Sequence, residues 1–549
     1  MSFWCSRILI TSVFLFGTFC CAAAQHQHPE GHGEVLGTVD FNTSCSATSK
    51  PAFNRAVALL HSFQFAKAVE GFRTALKSDP SCGVAYWGIA TAQWSNPFLA
   101  SNRTANALQS GRDAVASARS IGSKSKRERE YVEAISQLYD AKIPDQRTRL
   151  LAYRDAMAEL AARYPNDREA SIFYALALSM SEEPTDKTYA SRLKAGAILE
   201  KIFDEQPDHP GLAHYIIHSY DVPSLAERAL KAAIKYSMIA PSAPHALHMP
   251  SHTFTRIGHW QKSIDANIAS ASVAKSENDA TEELHASDYQ MYAFLQSGQD
   301  LKAKRLLADL PEIFSRFDPS VQLSGAAPPS AGFYAEAAIP ARFALERGAW
   351  KEAVELKPRT TPFPFAEAVT WFARGLGAAR LGDTNTAKSS VDALQTLHDR
   401  LRAAKEGYWA EQVEIQRRGV SAWALLAVGK EQEALLAMEA AADLEDGTEK
   451  SAVTPGPISP ARELLGEMLL QLKQPAQALK QFEATLRKEP NRFRALAGAA
   501  KAAGLLGDEE AEKKYYRALL KVCERADTPG RPELAKARVI AADRKKAMK

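Results

Sequence analysis

The chain has 549 residues, and 68 Lys and Arg against 64 Asp and Glu leave a formal charge of +4. That balance offers no electrostatic case for nucleic acid as a partner. Three of the six cysteines fall in the first two dozen residues, and the remaining Cys45, Cys82 and Cys523 are too few for a disulfide scaffold.

Residues 1–24 read as a secretory signal, with Arg7 as the positive charge, ILITSVFLFGTF as the apolar core and Ala22 to Ala24 as a small-residue cleavage site. Export to a periplasmic or extracellular space is the expectation, with no membrane span in the mature chain, since no later apolar run approaches the roughly 18 residues a span requires. Residues 25–44 form a polar, flexible leader whose His26, His28 and His32 are either a loose copper or zinc site or a solvated tract. An oxidising compartment would permit one Cys45–Cys82 bridge across the first helical hairpin, leaving Cys523 odd. From residue 45 onward the chain reads as helical nearly throughout, without the sustained alternation of a sheet.

In KPAFNRAVALLHSFQFAKAVEGFRTALKSDP, Ala68, Phe72, Ala75 and Pro80 set small and large apolar residues at regular helical spacing before a closing proline. Leu465, Gly466, Ala478, Phe482 and Pro490 repeat that pattern near the other end, and Trp371, Gly375, Gly382 and Ala387 match it in between. SKSKRERE reads as a solvated helix face. The loop around Pro184, with Asp186, Lys187 and Tyr189, is either a cover for the neighbouring histidine-rich helices or ordinary turn chemistry. Those helices carry HPGLAHYIIHSYD, with His214 and His218 four apart, and then PHALHMPSHTFTRIG, with His248 and His252 four apart. Each histidine of the second pair lies 34 residues after its counterpart, a repeat period in its own right.

These residues resemble the tetratricopeptide-repeat family. The resemblance implies an all-α solenoid of helical hairpins in a right-handed superhelix, where positions 2, 5, 9, 12 and 13 of each first helix face a concave groove. Placed in that register, His214 and His218 take positions 5 and 9, and His245, His248 and His252 take positions 2, 5 and 9 of the next repeat. His285, Asp288 and Tyr292 take positions 2, 5 and 9 of the one after. Trp87 and Trp94 fall at positions 5 and 12, either as an aromatic shelf for a ligand or as core; His61, alone at position 13, carries no site. The combination of TSC, ALLHSF, DPSC, AYWGIA and the two histidine motifs looks like a group of exported bacterial repeat proteins of the HALHMPSH type, without an established activity.

Histidines four apart on a helix stand on one face, so each pair can grip one ion. Neutral imidazole suits zinc, copper, iron and nickel, and a carboxylate such as Asp288 can complete a mixed site. His214, His218, His245, His248, His252, His285 and Asp288 are therefore the candidate ligands of one divalent transition metal, zinc or copper. Pro250, between His248 and His252, must kink its helix and either splays the pair or aims it into the groove. Without a metal, the imidazoles form a hydrogen-bonded layer satisfied by Asp221, Ser219 and Ser251, or a polar groove in which Arg256 and Tyr292 read a peptide.

The stretches 318–333 and 445–460 read as linkers, dividing an array over 45–317 from a middle array over 334–444 and a C-terminal array with a basic tail over 461–549. There is no HExxH, phosphate loop, GxGxxG or CxxC pair. The leading expectation is thus an exported scaffold that binds a protein or peptide partner in its groove, with a metal-binding histidine cluster at the centre. A metal-dependent extracytoplasmic enzyme on the same histidines is the alternative, and a purely structural polar layer with metal-free protein binding is the third.

Overall fold

The computed structural model describes residues 33–99, 102–183, 185–321 and 325–542, together with Met1. His26, His28, His32, the signal-like core and Pro184 lie outside the described residues. Contacts separate Met1–Val35, of which Met1 and residues 33–35 are described, from the compact unit Leu36–Lys549, which holds every element and site in the descriptions of fold and function.

Every regular element among the described residues is a helix, and neighbours in sequence pack as hairpins that stack along the chain. The reason lies in the alternation of small and bulky residues. The Phe72 ring lies so close to Gly88 that a Cβ there would come within 2.2 Å of it, and Phe482 sits between Gly466 and Gly498 at 2.9 and 2.4 Å from their imagined Cβ atoms. An aromatic side chain from one helix thus fills the notch left by glycine on the next, which is how close-packed helices reach crystal-like density. No helix among the described residues is long and apolar enough to cross a membrane.

The first hairpin, Lys50–His61 with Phe65–Ser78, is stapled by a Cys45–Cys82 disulfide with Cα atoms 4.9 Å apart. It closes a sequence separation of 37 residues, for which loop-entropy reasoning gives about 4 kcal/mol. Replacing both cysteines with serine is expected to cost roughly 2–4 kcal/mol in urea unfolding; an unchanged midpoint would mean that the native packing already restrains these ends. Part of the expected leader is also structural: Leu36, Val39 and Phe41 are buried, and the Phe41 ring packs on Phe53, Trp87 and Tyr131.

The superhelix coils far enough for its C-terminal repeats to dock on the central ones. Gly258, in a left-handed turn at φ +68°, lies where a Cβ would come within 2.4 Å of the Pro490 carbonyl oxygen. The Trp260 indole donates to the Asn491 carbonyl at 2.8 Å, and the Phe493 amide donates to Gln296 at 2.9 Å. Buried Arg492 pairs with Glu463 and Glu346 and donates to the Tyr292 hydroxyl.

Two stretches read as linkers have more specific places. The helix Pro329–Glu346 begins inside 318–333, and Ala326 and Ala327 are buried. Residues 449–458 lie against the central helices, where Tyr289 donates to the Thr454 carbonyl at 3.2 Å, with Ser451, Val453, Thr454 and Ile458 buried. Glu449 takes hydrogen bonds from Lys187 and Tyr189, both at 2.8 Å, so the loop around Pro184 clasps this segment.

Glu282, buried near the start of the helix Ala280–Gln296, accepts the Ala327 amide at 2.8 Å. Burial lifts its carboxyl from the ordinary 4.5 to about 8. Between those values the folded chain holds a proton that the unfolded chain has lost, so stability falls as pH rises through that window. Glu282→Gln keeps the acceptor and removes the charge. The variant should be more stable than wild type by about 3 kcal/mol at pH 7 and no different at pH 4, as read from thermal melts at both values.

Candidate metal centre

Four helical segments aim imidazoles at one another. His214 and His218 lie on Pro210–Ser219, and His245 and His248 on Pro244–His248. His252 lies on Pro250–Arg256 and His285 on Ala280–Gln296. Pro250 interrupts the backbone ladder, and the His252 amide bonds instead to Met249 three residues back, at 3.1 Å. The kink brings the pair together: His248 Nε2 lies 3.1 Å from His252 Nε2.

For three of the rings the far side fixes the tautomer. His214 Nδ1–H donates to the His61 carbonyl at 2.6 Å. His248 Nδ1–H donates to Asn267 Oδ1 at 2.6 Å, an oxygen oriented because Asn267 Nδ2 donates to the Ser263 carbonyl at 2.7 Å. His252 Nδ1–H donates to Asp221 Oδ2 at 2.8 Å. Burial alone would raise the Asp221 carboxyl, but Lys450 and Arg256 outweigh it and hold it well below the usual range. Oxygen acceptors behind histidines are how proteins orient imidazoles for a metal, because they leave the other nitrogen with a lone pair facing inward.

The facing Nε2 atoms of His248 and His252 are therefore two lone pairs at 3.1 Å, an arrangement that a cation between them would stabilise. Burial disfavours a proton there. Burial pushes His214 and His285 down to about 3 and His218, His245 and His248 well below the ordinary imidazole value, and lowers His252 as well. A metal ion fits, since neutral imidazole is the form that ligates.

The ligand atoms cluster as three and three: His214, His218 and His245 lie within 4.8 Å of one another, and so do His248, His252 and His285. His214 Nε2 and His245 Nε2 are 3.1 Å apart, while His218 Nε2, His245 Nδ1 and His285 Nδ1 have no hydrogen-bond partner. The Tyr289 hydroxyl stands 3.2 Å from His252 Nε2. His218, His245, His252 and His285 border a cavity of about 10 Å³, close to the space of one small atom.

Asp288 lies outside both triads. Its Oδ1 takes the Arg342 Nε–H at 2.8 Å, and Arg342 also donates to Thr454 Oγ1 and to the Gly456 and Pro457 carbonyls, each at 2.9 Å. The expected groove residues are not open to a partner. Trp87 and Trp94 are core, packed on Tyr131 and Tyr139; Arg256 is buried against Asp221, and Tyr292 donates to Glu489. All six histidines of the two triads are buried under residues such as Val453, so they face an interior rather than an open groove.

Sequence reasoning named Asp221 only as a partner in a metal-free layer and missed Asn267, Tyr289, Lys450 and Arg342. The SYD that directly succeeds His218 was the one local signal for Asp221. It also missed a third group, in which Glu169 accepts from His61 Nε2 at 3.0 Å and from His209 Nε2 at 2.9 Å. Both imidazoles spend those nitrogens on the carboxylate, and Tyr215 caps His61 Nδ1 at 3.0 Å. That group is a hydrogen-bonded layer standing behind His214, whose acceptor is the carbonyl of His61.

No family model and no curated protein matches this chain. Among solved structures, a human IFIT1 dimer with m7Gppp-AAAA is similar to it at a TM-score of 0.37 and 10% identity, covering 80% of this chain and 90% of that one. The assignment as an all-α solenoid of helical hairpins rests on the helices themselves.

Proposed function

We propose that this is an exported metalloprotein, a helical solenoid whose central repeats hold a transition metal, zinc or copper, on buried imidazoles. The observation that carries the reading is the pair of inward lone pairs on His248 and His252 at 3.1 Å, each fixed from behind by an oxygen acceptor. Export is read from residues 1–24, and the Cys45–Cys82 bridge is in keeping with an oxidising compartment. A bound ion would act as a Lewis acid and lower the pKa of bound water. A peptide partner would have to displace residues 449–458 to reach the histidines, so protein binding is assigned to other faces of the solenoid.

A metal-dependent enzyme is the second reading, and one observation favours it. A cleft of about 330 Å³ shares Leu99, Ala327, Pro328 and Val453 with the histidine cavity, and its size suits a small substrate.

Elemental mass spectrometry on protein purified without a His tag, beside His248→Ala/His252→Ala, tests the main reading. Near-stoichiometric metal that is lost in the folded variant supports it. Protein that stays metal-free after incubation with zinc and copper removes it and leaves a polar packing layer.

A further inference from the structure

We propose that the six imidazoles hold two copper ions in the cuprous state, one on each triad, with their open positions meeting in the shared cavity, where a small uncharged ligand reaches them. This inference rests on the metalloprotein reading and adds to it the number of ions, their charge and the class of ligand.

The count comes from the ligands. A structural tetrahedral site closes with four ligands, and a reactive one uses three and keeps a position open. Here there are six nitrogens, clustered three and three, and each cluster matches the reactive pattern. The two clusters are adjacent, with ring centroids 5.9 Å apart for both His218–His252 and His245–His248. The cavity is bordered by two imidazoles from each, His218 and His245 on one side and His252 and His285 on the other. An open position on either ion therefore faces the same space.

The charge comes from the surroundings. Neither triad contains a carboxylate. Asp221 stands one shell behind and is shared by Arg256 and Lys450, and Asp288 is paired with Arg342. Glu449 and Glu489 add further negative charge beside Arg256, so these cations are answered outside the triads, and the ions themselves would receive only neutral nitrogen. Because the cost of burying charge grows steeply with its magnitude, two divalent ions are far less well accommodated than two monovalent ones. Copper is the first-row metal that suits imidazole and has an accessible monovalent state.

The ligand class comes from the approach. The cleft that shares walls with the cavity is lined by Phe363, Trp409, Pro329 and Val321, and its one charged side chain, Arg103, donates to the Trp94 and Asn96 carbonyls. A cation would find no carboxylate on that path, and an anion would meet only Arg103, whose donors already serve those carbonyls. The cavity of about 10 Å³ is no larger than one water-sized molecule. Only a very small neutral ligand answers both conditions, and carbon monoxide is the probe.

The metal-free full-length protein is titrated anaerobically with cuprous copper and, separately, with zinc; bound metal is counted after desalting. Two copper ions per chain are expected, falling to one in His214→Gln/His218→Gln and to one in His248→Gln/His252→Gln. Infrared spectroscopy should show carbon monoxide on the copper-loaded protein, with slower uptake in Val453→Phe at an unchanged copper count. One ion per chain in the wild type overturns this inference and leaves the metalloprotein reading standing. No metal of either kind overturns both. Two zinc ions with less copper overturns the monovalent assignment, and two copper ions without carbon monoxide uptake overturns the shared open cavity.

Discussion

Asp221→Asn is expected to cost about 3–5 kcal/mol of stability and to weaken metal binding roughly 10- to 100-fold. The carboxylate takes Arg256 Nε–H at 2.8 Å, Lys450 at 3.1 Å and His252 Nδ1–H at 2.8 Å, and all four side chains are buried. Removing one charge takes from two buried cations the carboxylate they are hydrogen-bonded to, which is the expensive way to break a buried pair. The amide can also turn its NH₂ toward His252, driving the ring proton to Nε2 and removing the lone pair a metal would use. Urea unfolding and a chelator competition read the two effects separately. Lys450→Met in the same background should recover part of the stability and none of the metal affinity. Recovery of both would mean that Asp221 acts only as a counter-ion.

Arg342→Met is expected to be as severe, about 3–5 kcal/mol, by a different route. Its guanidinium reaches Asp288, Thr454, Gly456 and Pro457 at once, with two of the acceptors backbone carbonyls of the segment that lies against the central helices. The variant strands a buried carboxylate and three oxygen acceptors together. Residues 449–458 should then become the first site of limited proteolysis and should lose amide-exchange protection before the rest of the chain. Arg342→Lys should not rescue, because a single ammonium cannot serve acceptors spread around a planar fork. A Lys variant as stable as wild type would show that the carbonyl contacts contribute little.

The solenoid was legible because its register is written twice, once in Phe72 and Phe482 against glycines and once in histidines 34 residues apart. That register named six imidazoles, and in the structure they lie in two triads of three. Their burial was not legible, since the cover comes from residues 449–458, a stretch rich in proline, glycine and serine that reads as a connector. Its inward role depends on Arg342 and Tyr289 satisfying its carbonyls, contacts across 114 and 165 residues that no local pattern encodes. Asp288 shows the complementary limit. Helical register put it near the histidines, but a guanidinium 54 residues later takes its carboxylate. Pro250 left two outcomes open, and the broken helix, packed against Trp260–Ser276 and Leu230–Ile239, takes the convergent one.

The cover over the histidines arrives late. Lys450 comes 165 residues after His285 in the sequence, so at a synthesis rate of about 5–20 residues per second the imidazoles exist for roughly 8–30 seconds before the segment that seals them. Any chain threaded through a pore in the same direction keeps that order. The interval would serve as a loading window: an ion offered during it would meet open ligands, and one offered afterwards would have to wait for the seal to breathe. Metal added to the finished protein should therefore bind with the slow kinetics of local opening, even where the final affinity is high.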